Sequence, residues 1–150
     1  MYSREEAARL RENFWTTFGK YMAPVLSEAG EKINWINYKT GVPHVRFRMD
    51  ADTRSAEISL SFTHPDAGIR ALYFDQMKEL KTMFHSIAGT DWHWTEGADG
   101  GRSSKVYSRL ESVSVFRQED WPLIISFLKP RLISLDAFWS QAKYPFEALG

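Results

Sequence analysis

The stretch His44-Val45-Arg46-Phe47-Arg48-Met49-Asp50-Ala51-Asp52-Thr53-Arg54-Ser55-Ala56-Glu57-Ile58-Ser59-Leu60-Ser61-Phe62, with the run that follows to Ile87, decides the fold. Val45, Phe47 and Met49 alternate with His44, Arg46, Arg48 and Asp50, and Ile58, Leu60 and Phe62 alternate with Glu57, Ser59 and Ser61. Alternation in both arms marks a hairpin with one face on a core and the other free for solvent or a ligand. Folding about Ala51-Asp52-Thr53-Arg54 sets Phe47 against Ile58 and Val45 against Leu60, with Arg48 opposite Glu57 and Arg46 opposite Ser59. Both faces agree in that register. Pro65 and Asp66 then suit a helix start. Ile69, Leu72, Tyr73, Met77, Leu80, Phe84 and Ile87 form its apolar stripe, Gly89 ends it, and Arg70, Lys78, Lys81 and His85 lie on its outer face.

Upstream, Ser3 and Glu6 form a capping box. Ala7, Leu10, Phe14, Phe18, Tyr21 and Val25 continue it as one helical stripe, which predicts a helix from Arg4 to Glu28 stopped by Gly30. Gly19 inside that helix points to close packing. Ile33 to Gly41 reads as a short edge strand rich in flat rings and amides, Trp35 and Tyr38 with Asn34, Asn37 and Lys39. Such a mixture suits a binding surface or an edge whose rings cover the first helix.

Downstream, Asp91 to Glu96 reads as a strand with Trp92 and Trp94 on one face. Gly97 to Ser104 reads as a mobile glycine-rich loop. Lys105 to Phe116 is a further strand whose inward pattern slips between Leu110 and Val113, as at a bulge near Glu111 or Ser112. Asp120-Trp121-Pro122 opens a last helix, kinked at Pro130 and ending before Pro145. The predicted class is α+β: an antiparallel or mixed sheet of two hairpins with three main helices, in the order α-(β)-ββ-α-ββ-α, the helices on one face.

The 150 residues fit one domain, long enough to bury roughly 68–70% of its unfolded surface without a staple. The chain has no cysteine, which excludes disulfides, thiol catalysis and Cys-ligated metals and fits a reducing, cytoplasmic setting. No secretory signal begins the chain, and no apolar run approaches the roughly 20 residues of a membrane span. Nineteen basic and nineteen acidic residues cancel; that balance does not favour nucleic acid as the main partner. Six Trp, ten Phe and six Tyr exceed what a core of this size obviously needs, which raises the expectation of a partner surface, a homo-oligomer among the possibilities.

No sequence motif carries a chemistry. The four histidines lack metal-ligand spacing, and no phosphate loop or nucleophile elbow is present. Asp50 and Glu57 fall where a restriction-type nuclease places its acids, but Glu57-Ile58-Ser59 has a serine where the acid-x-lysine motif needs its lysine. No catalytic residue, metal ligand or cofactor is assigned. The candidate binding surface is Trp35, Tyr38 and Lys39 beside His44, Arg46, Arg48 and Glu57, with Arg46, Arg48 and Arg54 as the cations a nucleic acid would meet.

Asn34-Trp35, Asn37-Tyr38-Lys39-Thr40-Gly41, His64-Pro65-Asp66, Trp92-x-Trp94, Phe116-Arg117-Gln118-Glu119-Asp120-Trp121 and Phe138-Trp139, taken in order, resemble the bacterial "domain of unknown function 4268" family. The resemblance spans about Ser3 to Phe146. It implies a stand-alone copy of a domain that follows a nuclease-like or restriction-related region in longer relatives, and it brings no catalytic residues. The expectation is a non-catalytic binding or assembly module. The alternatives are a nucleic-acid-binding accessory to a nuclease or restriction-type system and a degenerate restriction-endonuclease-like nuclease.

Overall fold

The computed structural model describes residues 2–149. Its centre is a four-stranded antiparallel sheet in the order β1-β2-β4-β3, built from β1 (Val45–Ala51), β2 (Ser55–Phe62), β3 (His93–Gly97) and β4 (Ser103–Glu111). The helices are α1 (Arg4–Met22), α2 (Ala67–Glu79), α3 (Lys81–Ala88), a single turn α4 (Ala98–Gly101) and the long α5 (Trp121–Leu149). The α+β class and the two hairpins are as expected, and among the described residues every strand pair is antiparallel.

The hairpin faces are as the alternation predicts, but the register is two residues away. Phe47 pairs with Leu60, Arg48 with Ser59 and Asp50 with Glu57. The turn decides this. The Asp52 carboxylate accepts the amides of Arg54 and Ser55 at 2.8 and 2.9 Å, so the chain reverses over Thr53-Arg54, one position later than expected. A slip of two keeps every side chain on its face and changes only its partner.

The apolar face carries the core. Ile58, Leu60 and Phe62 are buried beneath Leu128, Leu132, Leu135 and Phe138 of α5, and each such side chain contributes about 1.5–3 kcal/mol by leaving water. α1 begins as predicted, with the Ser3 hydroxyl accepting the Glu6 amide at 3.1 Å. It ends at Met22 rather than Glu28, because Pro24 has no N–H to donate and its ring crowds the preceding turn. An added Cβ on Gly19 would lie 3.6 Å from Ile36, ordinary contact, so the helix passes close to that segment without requiring glycine.

The 33–41 segment is not a strand. The Asn34 side chain accepts the amides of Ile36 and Asn37, both at 3.1 Å, and bends the chain locally. The predicted single helix after Asp66 is two, parted at Leu80, whose amide reaches back only to Met77. Its buried side is also rotated: Arg70, Tyr73, Phe74 and Met77 point inward while Ile69 and Leu72 are exposed. Two large rings outweigh two aliphatic side chains in area. Arg70 is tolerated inside because it donates to the carbonyls of His64 (2.7 Å) and Gly101.

The glycine-rich loop is a tight turn. Asp99 and Gly100 take left-handed conformations within it, and the Ser103 hydroxyl donates to Asp99 at 2.7 Å. The pattern slip after Leu110 marks the end of β4. Ser112 turns the chain at φ 62°, and Val113 and Val115 then donate to the carbonyls of Arg54 and Asp52. α5 runs through Pro130 and past Pro145. Its last turn is held by Phe146, which is fully buried among Phe62, Tyr73 and Trp139.

Most of the Phe and Trp side chains go into or against this core, while three tyrosines stay exposed. Among the described residues, no Phe or Trp is among the exposed large apolar side chains, which are Tyr2, Tyr21, Leu26, Ile69, Leu72, Leu123, Tyr144 and Leu149. Among the described residues, no helix is long and apolar enough to cross a membrane.

Candidate functional site

The residues singled out in the sequence separate onto two sides of the sheet. Trp35 is 3% exposed and donates its indole N–H to the Val25 carbonyl at 2.9 Å. Tyr38 stacks on Phe47, centroids 4.0 Å apart, and therefore belongs to the helix side. Lys39 lines a cleft there. Arg46, Arg48 and Glu57 occupy the opposite, polar face. His44 precedes β1, left-handed at φ 64°, with its ring 4.8 Å from that of His64. The Trp35–Tyr38 segment is thus not beside the polar surface. Tyr38 follows Phe47, and Phe47 is an inward residue.

The polar face forms three rows across the strands. Register places Arg46, Ser61, Lys105 and Thr95 in one row, and Arg48, Ser59, Tyr107 and His93 in the next. Asp50, Glu57 and Arg109 make the third, nearest the β1–β2 turn. Ser59 and Ser61 are 2% exposed, and their hydroxyls lie 2.9 Å apart. They sit in a depression of about 390 Å³ with the cations Arg48, Lys105 and Arg102 and the acids Asp50, Glu57 and Asp99 around it.

Glu57 is not paired with Arg48. Its Oε2 accepts from Lys105 at 2.9 Å, and its Oε1 accepts from Arg109 Nη2 at 2.5 Å and Nε at 3.1 Å. The lysine missing from the acid-x-lysine pattern therefore stands beside Glu57 after all, supplied by β4. Burial pushes the Asp50 carboxyl up, and Glu57 opposite adds to this, while Arg48 and Lys105 work against it. The Ser103 hydroxyl holds Asp99 below the usual carboxylate range, helped by Lys105, Arg48 and Arg102. Glu57 beside Arg109 raises that guanidinium further. Among the described residues, no three of the His, Asp and Glu side chains come together as a metal site, and Arg46, Arg48 and Arg102 form no ion pair.

Tyr107 lies at the middle of this face, and Trp15 of α1 borders it near Asp50, Glu57 and Arg109. The Lys105 ammonium lies 4.8 Å from its ring centroid, the Arg109 guanidinium 5.1 Å, and the His93 ring 5.2 Å. The alternation Lys105-x-Tyr107-x-Arg109 was visible in the sequence. That β4 lies beside β2 was not, so these three residues were not joined to the hairpin's polar set.

The family model for a domain of unknown function, DUF4268, matches residues 10–143. The chain belongs to this family. Comparison with curated proteins and with solved structures finds no match. In this DUF4268 chain the matched span includes the whole sheet and both sides described above.

Proposed function

We propose that the chain is a non-catalytic binding module that holds a phosphate-bearing ligand, single-stranded nucleic acid, on the open face of its sheet. One observation carries the reading. Three guanidinium groups without an ion pair among the described residues, Arg46, Arg48 and Arg102, lie on the sheet face opposite the helices, beside two buried serine hydroxyls. Arginine forks suit phosphate oxygens, and sheet faces of this kind stack bases on an aromatic side chain such as Tyr107. Asp50, Glu57 and Asp99 line the same depression, but Glu57 is answered by Lys105 and Arg109 and Asp99 accepts the Ser103 hydroxyl. Self-assembly is less well supported, since among the described residues the Phe and Trp side chains that suggested a partner surface are not among the exposed large apolar ones, and only tyrosines of the aromatics are. The absence of cysteine supports a reducing, cytoplasmic setting.

The test is fluorescence anisotropy with labelled single-stranded DNA and RNA at low and high salt, on the wild type and on an Arg46→Ala/Arg48→Ala/Arg102→Ala variant. The expected result is binding whose logarithm falls linearly with the logarithm of salt, with a slope shallower by about two in the triple variant. No binding at about 50 mM salt overturns the proposal. Strand cleavage on adding Mg²⁺ or Mn²⁺, lost in Asp50→Asn, overturns the non-catalytic part and favours the nuclease alternative.

A further inference from the structure

On the helix side, a cleft of about 570 Å³ opens between the 27–40 segment and α5. That volume is within the range of small-molecule sites. In its wall is Asp136, 4% exposed, whose Oδ1 accepts the Tyr38 hydroxyl and whose Oδ2 accepts the Glu28 amide at 2.7 Å. Both donors are neutral, and among the described residues Asp136 has no cationic partner. A carboxylate taken out of water without a counter-charge is costly, and each of its oxygens has a further lone pair to offer. Trp139 lines the same cleft, its indole N–H donating to the Thr40 carbonyl at 2.8 Å. Lys39 and Lys143 line it too, and neither forms an ion pair among the described residues. The Lys143 ammonium rests 5.5 Å from the ring centroid of exposed Tyr144 and would swing into the cleft to meet an anion, while Glu31 at the rim adds a second acid.

We propose that this cleft binds a small zwitterion of the amino-acid class, its ammonium on Asp136 and its carboxylate on Lys39 and Lys143. The arrangement asks for both charges in one molecule: the buried acid alone would take any amine, and the two lysines alone any carboxylate. The site is independent of the sheet face, which lies on the other side of the strands. Asn34 and Asn37 also line the cleft and offer amide donors to the same carboxylate.

The experiment is a nitrogen-15 NMR titration of the whole chain with each standard amino acid to about 10 mM. Methylamine and acetate are the single-charge controls. At least one amino acid is expected to shift the Trp139 indole and the Asn34 and Asn37 side-chain resonances, with the controls producing less at equal concentration. Lys39→Ala/Lys143→Ala changes only cleft-lining side chains and should keep the fold while lowering affinity about a hundredfold or more, the loss of two charge-assisted hydrogen bonds. No shift with any amino acid, an equal response to methylamine alone, or undiminished binding in the double variant each overturns the proposal.

Discussion

Lys105 of β4 donates to Glu57 of β2 at 2.9 Å, and both side chains are only about 15% exposed. The pair joins the two central strands on the polar face, where a solvated surface would have sufficed. Such a pair gains more than an exposed one, because less water screens it. Arg109 gives Glu57 a second cation, so losing Lys105 does not strand the carboxylate. Lys105→Met is expected to cost about 1–2 kcal/mol and Glu57→Gln a similar amount. In a double-mutant cycle followed by urea denaturation, the double variant should be more stable than the sum of the singles implies. Strict additivity would show that the contact contributes nothing.

Asp50 and Asp52 are two residues apart and should answer pH in opposite directions. Burial raises the folded-state pKa of Asp50, so its ionisation disfavours the fold, a penalty that grows as pH rises from the unfolded value through the folded one. Asp50→Asn should therefore be as stable as the wild type or more so at pH 7, and the gain should vanish well below pH about 4. The Arg54 and Ser55 amides lower the pKa of Asp52. Its contribution is complete above the unfolded value and is lost as pH falls through the folded one. Asp52→Ala should cost about 1 kcal/mol at pH 7 and nothing in strong acid. Denaturant midpoints across pH measure both. Parallel pH profiles for the two variants would contradict the assignment.

Tyr38 ties the 27–40 segment to α5 through Asp136. Burial, then the hydrogen bond to Asp136, pushes the phenol up, so it remains a donor at every physiological pH. Tyr38→Phe removes that donor and leaves a buried carboxylate oxygen short of a partner, at an expected cost of about 1.5–3 kcal/mol. Thermal unfolding reads the change, and hydrogen exchange should show it concentrated at Glu28, whose amide holds the other oxygen. An unchanged melting temperature would mean that the pair is not a tether.

Asp99 sits among the cations Arg48, Lys105 and Arg102 as an internal anion. If the open face holds phosphate, this carboxylate competes with it. Asp99→Asn should raise affinity for single-stranded DNA several-fold at low salt, with the gain shrinking as salt screens the charge. Anisotropy titrations measure this. Weaker binding in the variant would place Asp99 among the groups that hold the ligand instead.

Much of the architecture was legible in the chain. Ser3, Gly89 and the alternation around Phe47 and Leu60 each act through neighbours close in sequence, so helix starts, one helix stop and strand faces follow from local pattern. The candidate surface was legible only in part. Arg46, Arg48 and Glu57 belong together by periodicity, whereas Trp35 and Tyr38 were joined to them by sequence proximity and lie on the other side.

The sequence by itself determined which side chains share a face, because a period of two survives any even slip of register. It also determined that thiol chemistry is absent. Only the tertiary structure decided that Asp50 faces Glu57, that Lys105 answers Glu57, and that Asp136 is buried against Tyr38. Those contacts depend on a turn set by one aspartate, on which strands become neighbours, and on helices packed from distant parts of the chain. Residues as far apart as Tyr38 and Asp136 carry no periodicity between them; only packing brings them together.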